Sequence, residues 1–208
     1  IVSKYHIEIW NHKLNSSDKN VEITYTTKDK VKKNFFTTEL ERYNYISNRI
    51  DELSAYQDTK FLKINRLRYI GALKTKENIV SDYLVNNQNK RVLIFCSSKE
   101  QADRLSLSYH SGTNEDCLNA FMNKQINHLA VVKMLNTSWT IHDLDTILIL
   151  SSNSSKVESV QRIGRSLMFK KNHIAQIIML CAYETVEKGW IEAALTDLDK
   201  SNINYVYI

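Results

Sequence analysis

The hydrophobic pattern of the chain changes near residue 90. Before that point, the segments VSKYHIEIW (2–10) and VEITYT (21–26) alternate between apolar and polar residues. Alternation with a period of two is typical of half-buried strands, and the polar stretch 11–20 between the two segments indicates a loop. The chain is therefore predicted to begin with two strands.

Two helical stretches are predicted to follow these strands. Thr38 and Glu41 have the spacing of a capping box, which marks the start of a helix. Apolar residues then recur at intervals of three and four and form one stripe, made of Tyr43, Ile46, Ile50 and Leu53. The pattern over 62–86 predicts a second helical stretch.

From residue 91 onward, short continuous apolar runs alternate with amphipathic segments. The runs are 91–98, 128–134, 144–152 and 175–182, and YHSGT (109–113) indicates a brief strand end and a turn. Continuous apolar strands are buried on both faces, and their alternation with helices predicts β-α-β units and a parallel sheet. The expected fold class is therefore α/β.

Composition narrows the class of protein without deciding it. The 208 residues are 43% hydrophobic and 25% charged, which is typical of a soluble globular chain. The net charge of +5 slightly favours an anionic partner. Three scattered cysteines indicate a reducing compartment, and no apolar run is long enough to cross a membrane. We therefore expect a cytoplasmic location or association with nucleic acid in the host cell, and no membrane partner.

Small polar residues stand at the ends of four predicted strands. The segments 96–98, 110–113, 133–140 and 151–155 are rich in Ser, Thr, Asn, Gly and Lys. In a parallel α/β sheet, ligands bind beyond the carboxyl ends of the strands, where such residues can contact phosphates. The alternative for each single segment is an ordinary turn, because Ser, Asn and Gly also favour turns.

The order of these elements resembles the second RecA-like domain of superfamily 2 helicases and translocases. The resemblance covers about 91–182 and includes the string QRIGR (161–165) in a predicted helix. It implies a RecA-like parallel β-sheet flanked by helices, formed by 91–208. Residues 1–90 resemble the N-terminal preface of strands and helices that leads into this domain in the UvsW-type and XPB-type branch.

The resemblance implies a set of residues that act on a nucleotide. Arg165 matches the arginine finger that touches the γ-phosphate, and its planar, always-charged group suits that task. Arg162 matches an arginine that links two domains, and Gln161 a polar residue that helps to align them. Gly164 allows close approach, and the Thr140 hydroxyl stands where the family has an acidic contact to the ribose.

The resemblance also implies contacts with a nucleic-acid backbone. The candidate residues are Ser97, His110, Gly112 and Lys133, in the segments that follow three predicted strands. His110 has an equally weighted alternative as a turn or core histidine, because its ring adapts to many hydrogen-bond partners.

The sequence departs from the family pattern at several positions. Met168 stands where the family usually has a further arginine, and 137–140 lacks the usual acidic residue. No Gly-x-x-x-x-Gly-Lys-Ser/Thr segment occurs, so a phosphate-binding loop is missing. The DELS string at 51–54 lies in a helical pattern and is rejected as a magnesium motif. No metal ligands are therefore predicted.

These observations predict the C-terminal motor domain of an ATP-dependent superfamily 2 DNA helicase or translocase. ATP and Mg²⁺ would be bound mainly by an upstream RecA-like domain, which would precede Ile1 or lie on another chain. The nucleic-acid partner is expected to be DNA, with RNA as an alternative, and a viral or phage origin is expected from the branch and the composition. The alternative function is a non-catalytic module with a decayed ATP site that binds nucleic acid or protein.

Overall fold

A seven-stranded parallel sheet forms the centre of the computed structural model, which describes residues 5–132, 141, 143–151 and 175–208. Within these residues the strands in chain order are β1 (Tyr5–His12), β2 (Val21–Thr26), β3 (Lys32–Thr37), β4 (Val92–Phe95), β5 (Ser108–Tyr109), β6 (His128–Val131), β7 (Thr146–Ile149), β8 (Ala175–Ala182) and β9 (Ile203–Tyr207). The order across the sheet is β5-β6-β4-β7-β8-β1-β9, and every pair of neighbours is parallel. The predicted α/β class is confirmed.

Helices cover both faces of this sheet. They are α1 (Glu39–Ser54), α2 (Lys60–Gly71), α3 (Lys74–Asn86), α4 (Lys99–Leu105), α5 (Asp116–Met122) and α6 (Glu187–Ala194). Alternate residues of each central strand face opposite sides, so Leu93 joins a core with residues of α5 and α6, and Ile94 joins a core with residues of α3 and α4. The continuous apolar runs of the sequence are explained by this burial on two faces.

The first alternating segment is an internal strand of the main sheet. β1 lies between β8 and β9, and its residues Ile7 and Ile9 are buried in the α5–α6 core. β9 was not predicted from the sequence, because most of its residues are exposed at the edge of the sheet and carry no continuous apolar pattern. The predicted domain boundary between residues 90 and 91 stays a prediction. β1 precedes this boundary, but it is hydrogen-bonded to β8 and β9, which follow it.

The second alternating segment forms a separate hairpin. β2 pairs antiparallel with β3, a strand that the sequence pattern did not predict, and together they form a two-stranded sheet. Most residues of both strands are exposed. The expected half-buried strand is therefore a mostly exposed one, since no second layer covers it among the described residues.

The start of α1 confirms the predicted capping box. The Thr38 hydroxyl accepts a hydrogen bond from the Glu41 backbone N–H at 3.1 Å, and the Glu41 carboxylate accepts one from the Thr38 backbone N–H at 2.9 Å. Hydrogen bonds from the Thr37 hydroxyl and the Thr38 backbone lower the pKa of Glu41. The predicted apolar stripe is buried at Tyr43, Ile46 and Ile50.

The predicted helical stretch 62–86 is two helices, with a break at residues 72 and 73. α2 ends at Gly71, and α3 begins at Lys74. Gly71 lies where two strand ends come close, because a Cβ atom built on it would lie 2.8 Å from the Cβ atoms of both Ser97 and Ser151. The helix therefore ends against the carboxyl edge of the sheet, and only glycine fits that contact without a shift.

Replacement of Gly71 by alanine should destabilise the fold. The new methyl group overlaps two backbone-attached carbons, so we expect the free energy of unfolding to fall by about 1–3 kcal/mol. Gly189→Ala in α6 is the matched control, because nothing lies within 4 Å of its Cβ position and alanine stabilises a helix by roughly 0.5–1 kcal/mol. Urea denaturation of both variants measures the difference, and equal effects at the two glycines would show that the contact at Gly71 is not tight.

Candidate functional site

The carboxyl ends of four neighbouring strands lie level at one edge of the sheet. Val131 at the end of β6 pairs with Phe95 of β4 and with Tyr109 of β5, and Phe95 pairs with Ile149 of β7. The polar segments that follow these strands therefore begin in one row. The structure thus brings Ser97, which follows β4, and His110 and Gly112, which follow β5, to the same edge.

Ser97 is held by a buried glutamine. Its backbone N–H and its hydroxyl donate to the Oε1 atom of Gln101 at 2.8 and 3.0 Å, and the Nε2 atom of Gln101 donates to the Gly71 carbonyl at 3.0 Å. Both donors of Ser97 are therefore engaged within the protein. Gln101 was missed in the sequence, although it follows the helix-capping residue Ser98 at the spacing of a capping box.

The side chain and the backbone of His110 hold the turn that follows β5 through hydrogen bonds. Its Nε2 atom lies 3.0 Å from the Asp103 carboxylate, and its backbone N–H donates to the Thr113 hydroxyl at 3.0 Å. Hydrogen bonds from the Ser108 hydroxyl and then from His110 hold the pKa of Asp103 below its ordinary value. These hydrogen bonds agree with the alternative in which His110 is a turn histidine. A nucleic-acid role for His110 stays a prediction.

Gly112 lies beside an exposed lysine that sequence reasoning missed. The Lys99 ammonium donates to the Ser111 carbonyl at 2.7 Å, and a Cβ atom on Gly112 would lie 3.5 Å from the same nitrogen. The only sequence signal for Lys99 is its position directly after the two serines that end the first apolar run. Lys99 therefore places an exposed positive charge at this edge of the sheet.

The other predicted site residues lie outside the described residues. They are Lys133, Thr140, Gln161, Arg162, Gly164 and Arg165. Their proposed roles stay predictions.

A buried ion pair fixes the ends of two strands at this edge. The Lys76 ammonium of α3 lies 2.7 Å from both carboxylate oxygens of Glu187 and donates to the Leu150 carbonyl at 2.7 Å. Glu187 also accepts a hydrogen bond from the backbone N–H of Ala182 at 2.9 Å. Both charged side chains are buried, so each depends on the other for its stability in the interior. No sequence signal identified this pair.

His12 is a buried histidine that lies close to this ion pair. It ends β1 opposite Ala182, and its Nδ1 atom lies 3.0 Å from the Lys13 carbonyl. Burial, followed by the nearby positive charge of Lys76, lowers the pKa of His12 from 6.5 to about 4. His12 is therefore neutral near pH 7, with Nδ1–H as the donor to Lys13.

Metal-binding clusters and membrane-spanning helices are both absent from the described residues. The described part of the chain contains no group of three or more His, Cys, Asp or Glu side chains that could hold a metal ion. Among the described helices, none combines the length and the apolar character that a membrane span requires.

Residues 75–170 match the family model for the helicase conserved C-terminal domain. This match covers just under half of the chain and includes β4 to β7 and the QRIGR string. A search of curated protein sequences gives no significant match. Residues 75–170 are thus similar to a helicase C-terminal domain, and assignment to the UvsW-type or XPB-type branch stays a prediction.

Solved structures support the same fold. The S. cerevisiae Dbp5 structure bound to RNA and ADP BeF3 has a TM-score of 0.54 at 9% identity, over 100% of this chain and 42% of that one. The C-terminal domain of the DEAD-box protein Dbp5 has a TM-score of 0.52 at 12% identity, over 64% of this chain and 83% of that one. The chain has the RecA-like fold. It spans about two fifths of the length of the RNA-bound Dbp5 structures, and at these identities the likeness shows the fold alone.

The RecA-like fold should lose stability as His12 is forced to bind a proton. Because the pKa of His12 is lower in the folded chain than in the unfolded chain, the unfolded chain binds more protons between pH 6.5 and 4. The contribution of His12 to the free energy of unfolding is complete above pH 6.5. It falls by up to about 3 kcal/mol as the pH drops toward 4. Denaturant titrations at a series of pH values measure this change.

His12→Gln should flatten this pH dependence, since glutamine does not titrate. His6→Gln is the matched control, because His6 lies on the same strand but is only partly buried. A His12→Gln variant that keeps the full pH dependence would assign the effect to other groups.

Proposed function

We propose that this chain is the C-terminal RecA-like motor domain of an ATP-dependent superfamily 2 helicase or translocase that acts on DNA. The observation that carries this proposal is the match of 75–170 to the helicase C-terminal domain, which spans the strand-end segments and QRIGR in one continuous stretch. The level strand ends of the sheet support it, because they bring segments that are distant in sequence to one edge.

The nucleic-acid backbone lies along this edge in the proposed function. Ser97, His110, Gly112 and Lys133 were assigned to it from the sequence, and Lys99 adds an exposed ammonium group beside Gly112. Contacts of this type neutralise phosphates and carry no sequence information, so binding is tolerant of sequence and sensitive to salt. DNA is proposed from the branch resemblance, whereas Dbp5 in the solved structure is bound to RNA, so RNA is the competing substrate.

The chain contributes the finger side of the nucleotide site. ATP and Mg²⁺ are held mainly by an upstream RecA-like domain, and ATP hydrolysis supplies the free energy of the cycle. Arg165 neutralises charge on the γ-phosphate, Arg162 and Gln161 align the two domains, and Gly164 permits their close approach. Thr140 offers a hydroxyl to the nucleotide.

The buried ion pair supports the finger assignment indirectly. The Lys76 ammonium donates to the carbonyl of Leu150, the residue directly after β7, and the segment that contains QRIGR follows in the sequence. The point from which the finger segment starts is therefore fixed by a charge-assisted hydrogen bond. Such bonds are stronger than neutral ones. The backbone at the end of β7, which precedes Arg165 in the sequence, is therefore held firmly in place.

A non-catalytic module is the second candidate function. It is favoured by the geometry of Ser97, because both of its donors are already used by Gln101. The absence of an arginine at Met168 and of an acidic residue in 137–140 agrees with a decayed ATP site. In this case the domain binds nucleic acid or protein as a scaffold.

Arg165 variants of the complete two-domain protein test the motor proposal. We expect Arg165→Ala to reduce ATP turnover by roughly a thousandfold or more, as for other arginine fingers. Arg165→Lys should lose nearly as much, because a compact ammonium cannot reproduce the bidentate guanidinium contact. Steady-state ATP hydrolysis in the presence of DNA measures both losses.

Thermal melting of the same variants is the folding control. If Arg165 only stabilises a helix end, lysine should restore turnover, since any cation suits that position. Wild-type turnover in Arg165→Lys would therefore reject the finger, and an early melt of Arg165→Ala would show a structural role. A complete protein that binds nucleic acid but hydrolyses no ATP would favour the non-catalytic module.

The 208-residue chain on its own should not hydrolyse ATP. It has no phosphate-binding loop sequence, so it offers only the finger side of the site. Phosphate release by the purified chain is compared with an enzyme-free blank and with the complete protein. Steady release by the chain alone would contradict the division of the site between two domains.

A further inference from the structure

We propose that the hairpin of β2 and β3 is a second contact for single-stranded nucleic acid. This proposal rests on the proposed function, because the nucleic-acid strand that contacts the edge of the sheet would continue onto the hairpin. The hairpin was not among the predicted site residues, and neither the helicase C-terminal match, which begins at residue 75, nor the RecA-like sheet includes it.

The turn and second strand of the hairpin carry a dense positive charge. Between residues 27 and 33 there are four lysines and one acidic residue, Asp29, which leaves a net charge of +3. The lysines are Lys28, Lys30, Lys32 and Lys33, and all four are exposed. Seven consecutive residues thus supply more than half of the net charge of +5 of the whole chain, which makes the hairpin a site of phosphate attraction.

Exposed aromatic rings lie among these lysines. The exposed fractions of Tyr25, Phe35 and Phe36 are 46%, 47% and 56%. The rings of Tyr25 and Phe35 meet edge to face with centroids 5.9 Å apart. Phe36 pairs with Glu22 and lies on the opposite face of the hairpin. Tyr25 and Phe35 are thus two exposed rings in contact on one face, which indicates a binding surface more strongly than a single exposed apolar residue does.

The strand register places Tyr25, Phe35 and Lys33 on one face. Tyr25 pairs with Lys33 and Ile23 pairs with Phe35, so these four side chains share a face of the hairpin. Aromatic rings that stack on bases, next to cations that contact phosphates, are the combination by which proteins hold single strands. A protein partner is less suited to this face, because lysine is depleted in the cores of protein interfaces.

The base of the hairpin is attached at the same edge as the strand-end segments. β1 is parallel to the other strands, so its last residue, His12, lies at their carboxyl edge. The fully buried Glu39 accepts hydrogen bonds from the backbone N–H groups of Asn15 and Thr75 at 3.0 and 2.9 Å. These hydrogen bonds tie the segment that enters the hairpin to the start of α1, which follows the hairpin, and to the start of α3.

The sheet order gives the separation between β5 and β1, the strand from which the chain enters the hairpin. β1 is five positions from β5, which is about 24 Å at roughly 4.8 Å per strand. A nucleic-acid strand with a rise of about 3.4 Å per nucleotide needs about seven nucleotides to cover that distance. A longer strand can therefore contact both surfaces, whereas a five-nucleotide strand can occupy only one.

Fluorescence anisotropy with labelled oligothymidines of 20 and 5 nucleotides tests this proposal on the 208-residue chain. For the 20-mer, Lys28→Ala/Lys30→Ala/Lys33→Ala should reduce the slope of log K against log salt by about 2, since three phosphate contacts from the turn and the aromatic face are lost. Tyr25→Ala/Phe35→Ala should weaken binding of the 20-mer by at least about fivefold with little change in that slope. Neither variant should weaken binding of the 5-mer at the strand-end segments by a comparable factor.

Two further variants separate this proposal from the proposed function. Lys90→Ala/Lys124→Ala/Lys200→Ala removes the same charge from residues that precede β4, β6 and β9, at the opposite edge of the sheet, and should leave the slope nearly unchanged. Lys133→Ala, in the segment after β6, should weaken both oligonucleotides alike and reduce the slope by about one. Thermal melting verifies that every variant is folded.

Each outcome of this experiment decides one of the two proposals. If Lys133→Ala weakens binding and the hairpin variants bind the 20-mer as the wild type does, the hairpin contact is wrong and the proposed function stands. If the wild-type chain binds neither oligothymidine nor the corresponding oligouridine, both proposals fail. Hairpin variants that bind DNA normally but lose association with the upstream domain would identify the hairpin as a protein contact instead.

Discussion

One buried ammonium group connects the parts of the structure on which the candidate site depends. Lys76 joins α3 to Leu150, the residue directly after β7, and to α6 and the end of β8 through Glu187. Removing one partner of such a pair leaves an uncompensated buried charge, which typically costs about 3–5 kcal/mol. The pair therefore holds helices from both faces of the sheet against one edge, at the place where the chain leaves β7.

The same edge of the sheet holds the described residues that the sequence predicted for the nucleic-acid site. Ser97, His110 and Gly112 follow strands whose last residues are paired in one row, and the chain that enters the hairpin leaves the sheet from this side through His12. Much of the polar hydrogen bonding at this edge is internal: Gln101 holds Ser97, and Asp103 holds His110. Ser97 and His110 are thus held by partners within the protein, and Lys99 is exposed beside them.

The parts of the fold that could be predicted have strong local signals. The run 175–182 predicted β8 with its observed bounds, and the capping box at Thr38 predicted the start of α1. Other features have no such signal. β9 is a short exposed edge strand, and the break after Gly71 arises because α2 meets Ser97 and Ser151, which are distant in sequence. Gln101 and Lys99 were missed because their partners lie on other segments.

By itself, the sequence determined the alternation of strands and helices, the parallel sheet and the loops in which Ser97, His110 and Gly112 lie. These follow from burial, since strands covered on both faces must be apolar throughout and the segments that join them must be polar. Only the tertiary structure decided that β1 belongs to the sheet, that Lys76 pairs with Glu187 across 111 positions, and that β2 and β3 form an exposed hairpin. The physical reason is that burial of a charge and the pairing of strands depend on partners from distant segments, and no local pattern specifies which segments meet.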